Sequence, residues 1–280
     1  MVKIVTDSLS DISPEMAKEL GITVVPLNVH FGDTVYKDGV ELPPDEFYKK
    51  LVGSNIFPTT SAPPPGVFAE LFTNLSKETN EIIAIMASDK ISAVQESAVQ
   101  GKALLKVDCK VEVINTKWLI GAEAILVLLA VEAAKNGANL EKIVDIVKKA
   151  MPRLHALMMF DTLEYLKRGG RIGKAQAFLG SLLKIHPILT LKDGEVHPFE
   201  RARNRAQAKD ILINYIKKFP KIDRVVVEHA TTPEESEEMI ERLSVFVPKN
   251  LIIRSRVGSV IGTHSGPHIL AVSFLTGEPA

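Results

Sequence analysis

The chain has 280 residues, and its 34 acidic and 34 basic side chains give a formal net charge of zero. Because no long block of one charge is present, we do not expect a nucleic-acid ligand. Hydrophobic residues make up 46% of the chain, which predicts a globular fold, and the length predicts two domains. A single cysteine, Cys109, argues against disulfides and multi-cysteine zinc sites and favours a reducing, cytoplasmic location.

The first half of the chain predicts strands that alternate with helices. Apolar runs rich in Val and Ile are predicted as strands at residues 2–6, 22–25, 82–87 and 111–115. Helices are predicted between and after them, and Pro14 and Pro44 mark two of their starts. This alternation predicts an α/β domain with a mainly parallel sheet and helices on both faces. Residues 26–43 are predicted to be irregular, and the proline-rich residues 58–65 to form a stiff, extended loop.

Residues 124–131 are the most apolar stretch of the chain. They are far fewer than the roughly 20 residues that cross a bilayer, so they predict a buried helix. The N-terminus is typical of a short strand and not of an export signal. We therefore expect no transmembrane segment, an expectation that still allows transient contact with a membrane surface.

The pattern changes after Pro152, so we place a domain boundary near residue 153 and predict domains at residues 1–153 and 154–280. The second domain is also predicted to be α/β. Asp193-Gly194 between two apolar runs predicts a β-hairpin. The remaining elements are predicted as strands at residues 154–160, 225–228, 251–256 and 269–274, and as helices at residues 163–167, from 171 to 183, and at 207–217.

Polar side chains at the ends of predicted parallel strands are candidates for ligand contacts, because ligands collect outside the carboxyl ends of such strands. Asp7, Ser8 and Ser88 have this position. Ser92 opens the following helix, and Gln95 three residues later completes a capping-box pattern. Capping alone would explain Ser92, but the free N–H groups of a helix start also suit an anionic oxygen.

Two further segments favour binding of an acid. Thr60 and Ser61 lie in the proline-rich stretch, which holds two hydroxyls with little entropy left to lose on binding; a solvated connector is the alternative. Gly169-Gly170-Arg171 follows a predicted helix. The glycines predict either a simple helix C-cap or a tight turn that directs the Arg171 guanidinium toward a carboxylate or phosphate.

Residues 262–268 are rich in Gly, Pro and hydroxyl side chains and are predicted to form a shaped loop. His264 and His268 are four residues apart, but that spacing places two ligands together only on a helix, which Gly266-Pro267 disfavours. We therefore expect no metal site and predict that His264 donates a hydrogen bond to a carboxylate.

Arg201, Arg203 and Arg205 alternate after the predicted hairpin and would share one face if the strand continued. They predict either a solvated edge or a docking site for an acidic partner or a nucleotide phosphate. The sequence has no Walker loop, Rossmann fingerprint, Gly-x-Ser-x-Gly elbow or His-Glu-x-x-His motif. An acyl hydrolase or transferase using Ser92 or His264 is the enzymatic alternative, but no base with an orienting acid is visible beside a nucleophile.

In their order along the chain, these features resemble the DegV family. The segments that carry the resemblance are Val5-Thr6-Asp7-Ser8, Val25-Pro26-Leu27, Tyr36 with Asp38-Gly39, Thr60-Ser61-Ala62-Pro63, Ser92 with Gln95 and Ser97-Ala98, residues 163–172, and residues 261–267. Two positions depart from the family pattern. The usual Ser-Gly-Thr reads Ser92-Ala93-Val94, and the usual Gly-Pro-Gly reads Gly266-Pro267-His268.

The resemblance implies a two-domain protein without catalysis of its own, which holds a long-chain fatty acid in an apolar tunnel with the carboxylate at the domain interface. It implies Thr60, Ser61 and Ser92 as carboxylate contacts, with Arg171 and His264 nearby, and no cofactor besides the bound acid. It also implies a partner, the separate ATP-binding subunit of a fatty acid kinase, which phosphorylates the bound acid.

Overall fold

The computed structural model describes residues 1–179 and 185–278. Its strands are β1 (Lys3–Asp7), β2 (Ile22–Val25), β3 (Asn28–Phe31), β4 (Thr34–Lys37), β5 (Thr59–Ser61), β6 (Glu81–Met86), β7 (Lys110–Asn115), β8 (Leu154–Met159), β9 (His186–Lys192), β10 (Glu195–Ala202), β11 (Ile222–His229), β12 (Ile252–Arg256) and β13 (Leu270–Thr276). Its α-helices are α1 (Pro14–Leu20), α2 (Pro44–Gly53), α3 (Pro65–Leu75), α4 (Val94–Ala103), α5 (Ile120–Lys135), α6 (Leu140–Ala150), α7 (Glu164–Arg168), α8 (Arg205–Ile216), α9 (Pro233–Leu243) and α10 (Ser259–Ser265).

The first sheet has the order β2-β1-β6-β7, and all of its strands are parallel. Successive residues of β6 pack on opposite faces: Ala84 belongs to the apolar cluster of α3 and α4, while Ile83 and Ile85 belong to that of α5 and α6. Helices therefore cover both faces, as the alternation of predicted strands and helices indicated, and the α/β fold class is confirmed.

The second sheet has six strands in the order β10-β9-β8-β13-β11-β12. Only β11 and β12 are parallel, and every other neighbouring pair is antiparallel. The predicted hairpin joins β9 and β10, and Asp193 and Gly194 both have positive φ, at 52° and 82°. Such φ values are those of the two-residue turn that Asp-Gly favours.

A third, antiparallel sheet with the order β4-β3-β5 corrects two predictions. Residues 26–43 were expected to be irregular, but β3 and β4 form a hairpin there, with Gly32 at φ 58°. The strands have only four residues each, too few for their alternation to stand out. Within the proline-rich stretch, β5 is an edge strand, which tolerates neighbouring prolines because one side of it needs no ladder hydrogen bonds.

The helix α5 contains the apolar stretch 124–131 and is buried along most of its length. It packs against Ile83 of the parallel sheet and against Val226 and Leu275 of the six-stranded sheet. This burial on both sides explains why it is apolar all round. Because the core continues through α5, a division into domains near residue 153 stays a proposal. No helix within residues 1–179 and 185–278 combines the length and apolarity needed to span a membrane.

Two more predicted elements differ from the structure. Residues 262–265 belong to α10 and not to a loop; the helix ends at Gly266, whose φ of 78° requires glycine. Residues 173–178 form a 3-10 turn instead of the first part of a longer helix. The predicted end of that helix at Leu183 lies outside the described residues.

Candidate functional site

A cavity of about 310 Å³ is lined by all five residues predicted as ligand contacts, Thr60, Ser61, Ser92, Arg171 and His264. The rest of its lining is mostly apolar and comes from both halves of the chain: Leu9, Leu27, Ala62, Ile91, Ala93, Leu119, Met158, Phe160, Leu166, Leu191, Val196, Val260, Ile261, Ser265 and Ile269. The volume falls at the small end of the range for small-molecule sites, roughly 300–1,000 Å³. Such a lining suits an apolar molecule that carries one polar group.

Thr60 and Ser61 point to opposite faces of β5, as neighbouring residues of a strand must. The Thr60 hydroxyl lies 2.8 Å from Nε2 of His264 on α10. The Ser61 hydroxyl instead accepts a hydrogen bond from Nδ2 of Asn28 at 3.2 Å and lies 2.9 Å from Nε2 of His30. The Thr60 side chain is therefore the one that joins the His264 side of the cavity.

His264 is half-buried, and its buried Nδ1 atom has no hydrogen-bond partner among the described residues. Burial, together with the neighbouring positive charge of Arg171, lowers the pKa of His264 from 6.5 to about 4. The imidazole is therefore neutral at neutral pH. Its Nε2 atom can donate to Thr60 or accept from it, depending on the tautomer.

Arg171 brings a positive charge into the cavity without an acidic partner. Its Nε atom donates to the Ile91 carbonyl at 3.2 Å, and Nη1 donates to the Gly169 carbonyl at 2.8 Å. Among the ion pairs of residues 1–179 and 185–278, none involves Arg171. Gly170, with φ 68°, follows the end of α7 as the C-cap interpretation predicted, and Arg171 lines the cavity. The approach of its guanidinium to a carboxylate or phosphate stays a prediction.

Gly169 is needed for its small size, because α7 and α10 meet at this residue. A Cβ atom here would lie 2.0 Å from Nδ1 of His264. We expect Gly169→Ala to displace the imidazole, break its contact with Thr60 and lower the melting temperature, because overpacking a buried contact costs about 1–3 kcal/mol. Thermal unfolding, with ligand affinity measured in parallel, checks this result.

Gly66→Ala is the matched control for Gly169→Ala. No atom lies within 4 Å of the position of its added Cβ, and Gly66 lies in α3, where alanine is the better helix former. We expect its melting temperature to be unchanged or slightly raised. Equal melting temperatures for Gly169→Ala and Gly66→Ala would contradict the proposed close approach.

Ser92 does not form the predicted capping box. The helix α4 begins at Val94, its N-cap residue is Ala93, and no side chain caps it. The Ser92 hydroxyl accepts only one long hydrogen bond, from the Val94 amide at 3.3 Å. In this bond the Ser92 oxygen is the acceptor, so its hydroxyl hydrogen stays free to donate into the cavity.

The other predicted strand-end residues hold loops in place. Asp7 accepts hydrogen bonds from the amides of Leu9 and Ala87, both at 2.9 Å. Ser8 accepts from the Leu27 amide, and Ser88 donates to the Gly194 carbonyl at 2.7 Å. None of Asp7, Ser8 and Ser88 lines the 310 Å³ cavity.

The structure does not bring Arg201, Arg203 and Arg205 onto one face, because β10 ends at Ala202. Arg201 stacks on Phe178, with the guanidinium carbon 4.3 Å from the ring centroid, and Arg203 is exposed in the turn. Arg205 begins α8 and forms ion pairs with Asp161 and Glu235. The strand does not continue, so the shared face that depended on it does not form, and a docking role for Arg201, Arg203 and Arg205 stays a prediction.

A group of buried carboxyl side chains escaped prediction, because acids at strand and helix ends usually face water. Asp11 and Asp38 accept hydrogen bonds from the amides of Gly258 and Ser259, both at 2.9 Å. They thereby hold the start of α10, the helix that carries His264. Burial raises the pKa of both carboxyls above the usual value. The remaining members of the group are Asp7, Glu123 and Glu228.

Within the described residues, no group of three or more His, Cys, Asp or Glu side chains converges as metal ligands would. His268 is exposed, and His264 alone of the two histidines lines the 310 Å³ cavity.

A protein-family model described as "Uncharacterised protein, DegV family" matches residues 1–277. A DegV domain-containing protein of Caldanaerobacter subterraneus is 37% identical, with 98% of each chain covered, and protein DegV of Bacillus subtilis is 34% identical over the same shares.

Solved structures show the same fold. DegV from Bacillus subtilis, described as a fatty acid binding protein, has a TM-score of 0.90 at 34% identity, with 99% of each chain covered. A stearic acid-binding protein from Eubacterium ventriosum has a TM-score of 0.90 at 28% identity, with 99% of this chain and 98% of that chain covered. The chain belongs to the DegV family.

Proposed function

We propose that this protein binds a long-chain fatty acid in the 310 Å³ cavity and presents its carboxylate to a separate, ATP-dependent kinase subunit. The observation that carries the proposal is an apolar cavity that contains one guanidinium without an acidic partner, that of Arg171. The fatty acids named for the solved relatives support the same ligand class.

The two parts of such a ligand have separate roles. Burial of the acyl chain contributes about 25 cal/mol for each Å² of apolar surface removed from water. A buried carboxylate costs free energy unless it is paired and hydrogen-bonded. Arg171 would supply the opposite charge, and the hydroxyls of Thr60 and Ser92 would donate hydrogen bonds, with His264 orienting Thr60.

The departures from the family pattern leave these groups in place. Ala93 lines the cavity next to Ser92, and Val94 begins α4 without displacing the Ser92 hydroxyl. His268 is exposed and lies outside the cavity. We therefore expect the carboxylate contacts of Ser92 and His264 to be retained.

The contacts do not support a hydrolase or transferase that uses Ser92 or His264. The Nε2 atom of His264 is bonded to Thr60 and not to Ser92, and Nδ1 has no partner among residues 1–179 and 185–278. A nucleophilic serine needs a base that a further group orients. The low pKa of His264, about 4, also makes it a weak base at neutral pH.

Mass spectrometry of the purified protein under native and then denaturing conditions tests the binding proposal. We expect one fatty acid molecule per chain that is released on unfolding. A protein that is always purified empty and binds no added fatty acid would overturn it.

The partner proposal predicts acyl phosphate only when the loaded protein, ATP and a fatty acid kinase ATP-binding subunit are mixed. Loaded protein with ATP alone should yield none.

Thr60 and Ser61 should differ in their effect on binding. We expect Thr60→Val, which keeps the shape of the side chain, to weaken fatty-acid binding roughly tenfold, since a lost hydrogen bond to a charged group costs about 1.5–3 kcal/mol. Ser61→Ala is the matched control, because its hydroxyl is already bonded to Asn28 and His30 on the other face of β5. Equilibrium titration with oleate checks both; a larger loss for Ser61→Ala would reverse the assignment.

A further inference from the structure

A second, larger cavity of about 1450 Å³ lies between the first 52 residues and the end of the six-stranded sheet. It opens at the carboxyl ends of two parallel pairs of strands. Ser8 and Pro26 line it just after β1 and β2, and Thr231 and Gly258 line it just after β11 and β12. The crevice outside the carboxyl ends of parallel strands is the usual ligand position in α/β sheets. We call this cavity the β11–β12 cleft.

Three basic side chains meet at one wall of the β11–β12 cleft. His229 ends β11 and is in register with Arg256 on β12, and Arg254 lies two residues earlier on the same face of that strand. All three line the cleft. Burial, together with the positive charges of Arg254 and Arg256 and against the opposing charge of Glu234, lowers the pKa of His229 from 6.5 to about 4. Both guanidinium groups therefore lie within electrostatic reach of the imidazole.

The acidic partners of these two arginines are exposed, so the arginines can still bind an anion. Arg254 lies 3.4 Å from Glu237, whose side chain is 57% exposed. Arg256 lies 2.6 Å from Asp45, which is 74% exposed, and also donates to the Ala230 carbonyl. Ion pairs with exposed carboxylates contribute little, about 0–1 kcal/mol, so a bound anion can compete with them.

A buried polar atom beside these arginines has no partner. His229 is 5% exposed, and its Nδ1 atom forms no hydrogen bond with a described residue. Buried polar atoms normally have partners, so this one indicates an absent ligand.

Two acids on the opposite wall do not cancel this positive charge. Asp11 and Asp38 line the cleft, but each accepts a backbone hydrogen bond from the start of α10. Burial raises the pKa of both, and for Asp11 the carboxylate of Glu228 raises it further. A raised pKa means that these carboxyls carry less negative charge than exposed acids at the same pH.

We propose that the β11–β12 cleft binds a phosphate group through His229, Arg254 and Arg256. Guanidinium groups are donors from which a tetrahedral oxyanion readily accepts hydrogen bonds. The group could belong to free phosphate, a lipid headgroup or a nucleotide, because all three present the same oxygens. The site is separate from the fatty-acid cavity, which none of these residues lines.

Calorimetric titration of the full chain with inorganic phosphate, glycerol 3-phosphate and ADP tests the proposal and distinguishes the sources. We expect saturable binding of at least one probe, and the tightest binder identifies the source. The double variant Arg254→Gln, Arg256→Gln should weaken this binding at least about tenfold. The control Arg242→Gln removes an arginine that pairs with Asp210 and Glu238 outside the cleft, and it should bind as the wild type does.

A second readout is specific to contact with His229. A bound anion should raise the pKa of its imidazole above about 4, which NMR titration of the ring protons measures. His229→Gln, which removes the titrating group, identifies the signal. The proposal is overturned if no probe binds saturably, or if binding is the same in the double variant. Fatty-acid content, measured in the same samples, should not change, so failure here is distinguishable from failure of the proposed function.

Discussion

Replacement of Arg171 by methionine is expected to weaken fatty-acid binding by roughly 30-fold or more, with a change in the dissociation rate. The guanidinium is the one charge of the described cavity lining without an acidic partner, so its loss leaves a bound carboxylate buried and unpaired. Truncating one member of a buried, hydrogen-bonded charge pair costs about 2–5 kcal/mol. Titration with oleate and a stopped-flow measurement of its release give the affinity and the rate.

Two further variants separate charge from packing. Arg171→Lys keeps the positive charge but cannot donate to Ile91 and Gly169 in the same planar arrangement, so we expect an intermediate affinity. Arg168→Met removes an exposed arginine at the end of α7, which pairs with Glu164 and lies over the Phe57 ring outside the cavity, and it should bind as the wild type does. If Arg171→Met kept wild-type affinity while remaining folded, the carboxylate would have to lie elsewhere.

The sequence predicted the parallel sheet and the Asp193-Gly194 hairpin because both depend on local patterns that repeat or have a fixed turn chemistry. It missed the hairpin of β3 and β4, because strands of four residues offer too little alternation to distinguish from a loop. It missed α10 because the glycines and the proline of residues 262–268 are typical of loops. Gly262 is nevertheless required within this helix, since a Cβ atom there would lie 2.6 Å from Phe47 and from the Tyr48 hydroxyl.

Five residues of the cavity were predicted from loop chemistry and from the ordered resemblance to the DegV family, but the contacts between them could not be predicted. Strand pairing separates Thr60 from Ser61, and that pairing depends on β3, which was not predicted. The contact between Thr60 and His264 joins residues 204 positions apart. The role of Gly169 also required the structure, since its constraint comes from the His264 ring on another helix.

The buried carboxyls were invisible for a physical reason. An acid is buried only where amide donors happen to converge on it, and convergence is a tertiary property. Gly121 donates to Glu228 across 107 positions, and Gly258 donates to Asp11 across 247. Together they join β11 to α5 and the start of α10 to the β1 end of the parallel sheet. These hydrogen bonds offset part of the free energy that burying the acids costs, and they also link the two larger sheets.

Glu228→Gln is expected to stabilise the protein at alkaline pH by several kcal/mol. Burial raises the pKa of Glu228 from 4.5 to about 8, and each pKa unit corresponds to about 1.4 kcal/mol. Between these values the folded protein keeps a proton that the unfolded chain has released. The stability that this carboxyl contributes is therefore complete below about pH 4.5, falls as the pH rises toward 8, and is lost above it.

The glutamine variant removes this titration and keeps the main contact. Its side-chain carbonyl can accept the hydrogen bond that the Gly121 amide now donates to Glu228 Oε2 at 2.8 Å, while its amide group supplies a donor beside Asp11. Urea unfolding at pH 5, 7 and 8.5 should show a flatter profile for Glu228→Gln than for the wild type. Glu241→Gln, an exposed change on α9, should follow the wild-type profile. Parallel profiles for Glu228→Gln and the wild type would mean that another group releases the proton, and the neighbouring Asp11, whose pKa is also raised, would be the next to replace.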